Sequence, residues 1–252
     1  MCKKVNKLTT ILLFSLSVAT AVVWASSCGL PSATPVLPDP EAPAASGSTF
    51  TFTHPGGTDP QPPGIENVNG YEVYYKFYAP TEEGVVDDSL DDEDITAVAD
   101  RTQAGALPTN ALVTQGFRRI NGPPEREGPG GTRVVPLILI DPADVETTIT
   151  VSITFPTSIL SFEEPTVAYA GESFVIRRAV DNGDLANRQY QTFLPSEIEV
   201  SDGDVPEEIG QIPGALRAGL SLVAFAYGQG VDLSSPLYST PIPLGMITIP
   251  LQ

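Results

Sequence analysis

The chain has 252 residues, with 13 Lys and Arg against 31 Asp and Glu, and its net charge of -18 argues against a broad nucleic-acid or acidic-lipid surface. Its 25 prolines and 22 glycines break regular structure too often for a helical bundle or a coiled coil. One His, two Cys and one Trp leave too little material for a zinc cluster, a disulfide scaffold or a His-centred triad.

Lys3, Lys4 and Lys7 form a basic head, and the stretch from Leu8 to Trp24 carries no charge. A permanent membrane helix needs about 20 apolar residues, so this shorter run, followed by the small residues Ala25, Ser26 and Ser27, predicts an export signal over 1–27. Ala25-Ser26-Ser27-Cys28 resembles the lipobox of bacterial lipoproteins, with Ala25 where that family usually has Leu, as in the relaxed lipoboxes of spirochaetes. The resemblance implies cleavage before Cys28, a thioether-linked diacylglycerol on that cysteine and N-acylation of the new terminus. It also implies a lipid-anchored protein of the cell envelope. Gly29, where inner-membrane retention favours Asp, turns the expectation toward the outer membrane. Removal of three lysines and no acid would take the charge from -18 to -21, and the exported part would hold neither thiol nor disulfide.

Residues 28–47 are rich in Pro, Ala and Ser and read as a lipid-attached tether, which fully extended would reach about 60 Å at roughly 3.1 Å per residue. The folded body is expected over 48–252, as one domain or as two subdomains split near 141–147. Its first strand is predicted at Thr49–Thr53, where threonine alternates with Phe50 and Phe52. His54, the lone histidine, reads as a surface or strand-end residue.

Gly70–Tyr78 is the clearest strand, with Tyr71, Val73, Tyr75 and Phe77 on a core face and Glu72, Tyr74, Lys76 and Tyr78 on the other. Tyr74 and Tyr78 on the outer face form a candidate ligand ledge, cross-strand packing being the alternative. The word Gly70-Tyr71-Glu72-Val73-Tyr74-Tyr75 resembles the third strand of fibronectin type III domains. Tyr227-Gly228-Gln229-Gly230 with Leu237-Tyr238-Ser239 looks like their final strand pair, although the tryptophan usual in that family is missing.

Between residues 82 and 94 lie Glu82, Glu83, Asp87, Asp88, Asp91, Asp92, Glu93 and Asp94. Asp87, Asp88, Asp91, Asp92 and Asp94 are candidate ligands of a weak cation site, calcium being the ion that suits oxygen donors, but the EF-hand spacing and central Gly are absent. The structural reading is a solvated acidic loop capping a short helix across Ile95, Val98 and Ala99. Ala111–Val113 leading to Phe117–Ile120, Arg133–Ile140, Ile149–Phe155, Thr166–Tyr169, Ser173–Arg178, Gln189–Phe193, Leu220–Tyr227 and Leu244–Ile249 are further strands, with room for a second short helix at Pro213–Leu220. The acid and Gly turns at Asp181–Asp184 and Ser201–Asp204 read as hairpin chemistry. Gly128–Thr132 lacks the Lys-Ser or Lys-Thr of a phosphate loop.

Nine or ten short strands predict an all-β fold, an antiparallel β-sandwich of fibronectin type III-like or immunoglobulin-like kind with an acidic loop insertion. The functional expectation is a noncatalytic, membrane-anchored cell-envelope lipoprotein that presents this acidic sandwich to an unknown protein or glycan, with no nucleic acid and no cofactor beyond the lipid. The alternatives are a carbohydrate- or peptide-binding module using Tyr74 and Tyr78, and a carboxylate-dependent glycoside hydrolase, which needs two acids facing each other across a pocket.

Overall fold

The computed structural model describes residues 37–42, 45–81, 86–87, 89–123, 125, 135–156, 158, 163–180, 190–211, 217–229 and 236–251. The chain divides into two units, Met1–Thr34 and Pro35–Gln252. The first lies outside the described residues, and with it the export signal and Cys28. The second runs β1 (Thr49–Pro55), β2 (Val68–Tyr78), α1 (Ser89–Gln103), α2 (Pro108–Thr114), β3 (Arg118–Arg119), β4 (Ile138–Leu139), β5 (Thr148–Thr154), β6 (Thr166–Tyr169), β7 (Glu172–Val175), β8 (Arg177–Ala179), β9 (Tyr190–Thr192), β10 (Arg217–Gln229), β11 (Pro236–Tyr238) and β12 (Ile242–Pro250).

Period-two alternation sorts the side chains of the first sheet, ordered β1-β5-β6-β7 and antiparallel throughout. Phe50 and Phe52 of β1, Ile149, Val151 and Ile153 of β5 and Val167 of β6 are all buried, while their neighbours along the strands are threonine, serine and alanine. The larger sheet is centred on β10 and β2, paired from Gly219 opposite Tyr78 to Gly228 opposite Val68. β12 and β11 share the far edge of β10, and β3 and β4 share that of β2. Gly70 makes room for β4, since a Cβ there would sit 2.0 Å from the Ile138 carbonyl oxygen.

Tyr71, Val73, Tyr75 and Phe77 of β2 join Leu220, Leu222 and Ala224 of β10 and the apolar row of the first sheet in one core cluster. Phe193 fills its end, with Tyr75 4.9 Å and Phe155 5.1 Å away in edge-to-face contact. Within this core His54 is fully buried rather than exposed at a strand end. Its Nε2 lies 2.8 Å from the Val145 carbonyl and its Nδ1 2.6 Å from the Tyr71 hydroxyl. A carbonyl only accepts, so Nε2 carries the proton and Nδ1 accepts from tyrosine: the neutral ring is satisfied at both nitrogens. Burial holds its pKa below the ordinary 6.5 despite the opposing pull of the Val145 carbonyl.

β8 and β9 form a third, two-stranded sheet, tied to the larger one by paired backbone bonds between Asn121 and Arg177. Arg178, with no exposed surface, locks this corner. It donates from Nη1 to Asp204 (2.8 Å), from Nη2 to Asp202 (2.5 Å) and to Gln191, and from Nε to the Thr192 carbonyl (3.0 Å). Tyr75 donates its hydroxyl to the second oxygen of Asp204 at 2.7 Å, joining the lock to the core. The Ser201–Asp204 turn therefore supplies both counter-charges of a buried arginine, while the Asp181–Asp184 turn lies outside the described residues.

The all-β expectation is corrected by the helices. α1 and α2 pack on each other, and Val98, Ala111, Leu112 and Phe117 meet Tyr74, Val223 and Phe225 on the outer face of the larger sheet. A β-sandwich buries one face of each sheet, whereas this sheet is covered on both, and a third sheet stands beside it. The fold is mixed α and β. The fibronectin type III-like or immunoglobulin-like assignment falls, and so does the acidic β-sandwich interaction module that rested on it. Ala111–Val113, expected as strand, is helix because Pro108 starts it and Gly116, at φ +82, ends it with the Phe117 N–H returning to the Leu112 carbonyl. The helix expected at Pro213–Leu220 is strand from Arg217 onward.

The body also begins before residue 48. Leu37 is 1% exposed and belongs to the core cluster, Asp39 accepts from the Thr240 N–H at 2.8 Å, and Glu41 exchanges two backbone bonds with Thr53. About half of the stretch read as tether thus includes residues built into the folded unit.

Candidate functional site

The outer face of β2 carries Glu72, Tyr74, Lys76 and Tyr78, and the two ends of this row have different fates. At the Tyr78 end α1 lies over the sheet, and its contacts are largely polar. Asp94 accepts from Lys76 Nζ at 2.5 Å and from the Tyr78 hydroxyl at 2.7 Å, and Asp91 accepts from the Ser221 hydroxyl at 2.6 Å. Asp91 and Asp94 are three residues apart and so share one face of the helix. Asp91 and Val98 are the buried residues of α1. Burial first, then the bond to Asp94, drives the Tyr78 hydroxyl far above the ordinary tyrosine range, which fixes it as a donor.

At the Glu72 end, beside the start of α2, a pocket of about 170 Å³ opens on the sheet. Its floor comes from four lanes of the sheet: Tyr238 on β11, Tyr227 on β10, Glu72 and Tyr74 on β2, and Arg119 on β3, with Thr109 of α2 and Pro136 as walls. Strand register brings them together. Glu72 lies opposite Phe225, Tyr74 opposite Arg119, and Tyr227 opposite Tyr238. The Tyr227 and Tyr238 rings are 5.8 Å apart and inclined at 61°, and Phe225 backs Tyr238 at 5.8 Å and 67°. Glu72 is 9% exposed, so its carboxylate sits low among the rings. Burial, then Tyr227, then the Glu72 charge raise the pKa of Tyr238. A wider hollow of about 400 Å³ between α1 and Thr240 is lined, among the described residues, by Ala99, Asp100, Thr102 and Gln103, none of them aromatic.

The residues singled out from sequence are distributed differently from the expectation. Tyr74 and Tyr78 do not form an exposed ledge: they are 6% and 5% exposed, Tyr74 in the cluster beneath the helices and Tyr78 bonded to Asp94. Of the acidic residues described, Asp91 and Asp94 come together at the Tyr78 hydroxyl, and the others stand apart from them. Asp87 caps the start of α1 by accepting from the Ser89 N–H at 2.9 Å, Asp91 and Asp94 point into the sheet, Asp92 is exposed, and Asp88 lies outside the described residues. Among the described residues no group of three or more His, Cys, Asp or Glu could hold a metal ion. Among the described residues Glu72 is the one carboxylate in the pocket lining, so they form no facing pair of acids of the kind glycoside hydrolysis requires there. Cys28 lies outside the described residues, and among those described no helix is long and apolar enough to cross a membrane.

Glu72, Tyr227 and Tyr238 were missed as a group from sequence. The usable signal was the position of Glu72 between two tyrosines on the outer face of a strand rich in aromatic residues. Comparison with protein-family models, curated proteins and solved structures found no match to this chain. No family model therefore supports the lipoprotein resemblance of the N-terminal residues, and membership of that family is withdrawn along with the sandwich.

Proposed function

We propose that the protein is held at a bilayer of the cell envelope by acyl chains on Cys28 and that its body binds a small ligand in the tyrosine-lined pocket. The observation that carries the binding half is the pocket at this end of the outer sheet face, whose lining brings three tyrosines together with the buried Glu72 and with Arg119. Concave sites with apolar walls and a few converging polar groups are where small ligands bind. The anchoring half rests on chemistry of the sequence: a basic head, an uncharged run, small residues and then a cysteine. Two or more acyl chains would give stable attachment, each buried methylene contributing about 0.8 kcal/mol.

The two halves are tested separately. The native chain and Cys28→Ala, expressed in a bacterium that acylates exported cysteines, should differ by the mass of the acyl chains and in membrane partitioning. Equal masses and equal soluble fractions would end the anchoring proposal. For the pocket, thermal shifts of the purified protein are measured with a panel of small polar compounds. At least one shift should appear and should be lost in Tyr238→Ala. A panel that is silent, or shifts that survive the substitution, would reject the pocket.

A further inference from the structure

Resting on the anchoring half of that reading, we infer that the pocket end of the outer sheet face lies on the bilayer, with Tyr227, Tyr238 and Leu139 seated among the head groups of zwitterionic lipid. Strand register sets these side chains in one line across the sheet: Tyr238 opposite Tyr227, Tyr227 opposite Gly70, and Gly70 opposite Leu139. Ile138 lies opposite Tyr71 and is buried with it in the core, so Leu139, the next residue along β4, turns to the other face, which is the face of the pocket. Leu139 is 43% exposed, and Leu107, two residues before the pocket wall at Thr109, is 48% exposed. Both tyrosines of the line are half-buried. Tyrosine beside apolar surface prefers the boundary between membrane and water, where the ring meets acyl chain and the hydroxyl meets water.

The attachment of the chain favours the same end. Leu37 packs at Gly228, the residue after Tyr227: a Cβ on that glycine would come within 3.1 Å of Leu37 Cδ1. The nine steps from Cys28 to Leu37 span at most about 32 Å at roughly 3.5 Å per step. The opposite end of the same face, where Lys76 pairs with Asp94, is six residues from Gly70 along β2, about 20 Å at roughly 3.3 Å per residue. With acyl chains on Cys28, the body is therefore moored at the end that carries the tyrosines. Charge does not make this contact. Asp39, Glu66 and Asp141, each two residues from Leu37, Val68 or Leu139, are exposed, and Glu72 and Arg119 bring one charge of each sign to the pocket. The net charge of -18 repels anionic lipid, so the rings and leucines meet head groups without net charge.

Cleavage before Cys28 removes Trp24, so a tryptophan introduced into the body is the sole one of the processed chain. Leu139→Trp and Leu90→Trp make matched reporters: Leu90, at the start of α1 beside Asp91 and its bond to Ser221, is 41% exposed and stands toward the opposite end of the face. Each acylated protein is reconstituted in vesicles of phosphatidylcholine carrying bromine on its acyl chains, which quenches indole fluorescence on contact. The Leu139→Trp protein should be quenched at least twofold more strongly than the Leu90→Trp protein and should emit further to the blue. Adding Tyr227→Ser and Tyr238→Ser to Leu139→Trp should remove at least half of that quenching. Equal quenching of the two reporters in protein that sediments with the vesicles would overturn the inference and leave the anchor in place. Quenching unchanged by the two serines would also overturn it, by assigning the proximity to the tether alone. Protein that carries no acyl mass and stays soluble would reject anchor and inference together. None of these outcomes depends on a ligand in the pocket.

Discussion

The two faces of β2 solve the same problem in opposite ways. On the inner face Tyr71, Val73, Tyr75 and Phe77 disappear into an apolar core shared with a second sheet. On the outer face Tyr74, Lys76 and Tyr78 are covered by helices that hold on through carboxylates and a few apolar side chains, and beyond them Glu72 opens into the pocket. Burial of apolar area is non-directional and strong, about 25 cal/mol per Å². Polar attachments depend on geometry and are screened by water and salt where they are partly exposed. The inner face therefore fixes the fold, and the outer face is held by contacts that depend on exact placement.

That contrast can be tested by breaking each face. Phe77→Ala should cost the most, about 3 to 5 kcal/mol in urea unfolding, because the ring packs on Tyr75 and Phe193 and leaves a cavity. A loss below about 1 kcal/mol would show that the inner face is not closed. Arg178→Met should cost about 3 kcal/mol, the low end for a broken buried ion pair. Asp202 would keep the Glu199 N–H and Asp204 the Tyr75 hydroxyl, so neither acid is stranded completely. An unchanged midpoint would contradict the lock.

On the outer face Asp94→Asn should cost about 1 kcal/mol, since Lys76 and Asp94 are roughly a quarter and a fifth exposed. The difference from the native chain should shrink in 0.5 M NaCl, and a salt-independent difference would assign the contact to packing instead. The mildest effect is one of pH. Below 6.5 the unfolded chain binds a proton at His54 that the folded chain resists, so the stabilisation is complete above 6.5 and is lost as pH falls toward the lowered folded value. His54 is the single histidine, so a denaturant midpoint that declines from pH 7.5 to 5.5 in the native chain should lose that part of its slope in His54→Phe. A flat native profile would mean that the ring is not buried neutral.

Alternation made the inner face readable from sequence: Thr49–Thr53, Gly70–Tyr78 and Ile149–Thr154 fall in strands, and Phe155 follows the last directly, with the expected side chains in the core. The outer face was misread because alternation assigns a side chain to a face without saying what covers it. Tyr74 and Tyr78 were open to both readings, ledge or packing, for that reason, and packing is what the structure shows. The signals of α2, Pro108 at its start and Gly116 after its end, were present but were overshadowed by the apolar Ala111-Leu112-Val113. The helix expected across Ile95, Val98 and Ala99 is part of α1, and the acidic run obscured only its start. Charge density suggested a solvated loop, whereas the three-residue spacing of Asp91 and Asp94 put both on the face that meets Ser221, Lys76 and Tyr78. Three of the pocket's side chains, Glu72, Tyr227 and Tyr238, lie on three strands, and the pairing of β10 with both β2 and β11 brings them together.

Leu37, seated in the core at the very beginning of the described chain, changes the mechanics of attachment. If Cys28 holds the acyl chains, only eight residues lie between mooring and hull, and the nine steps from Cys28 to Leu37 span at most about 32 Å at roughly 3.5 Å per step. A tug on the lipid would enter the body at the Leu37 seat and the two Glu41–Thr53 backbone bonds. The leash is short, and its inboard end is fastened to the keel.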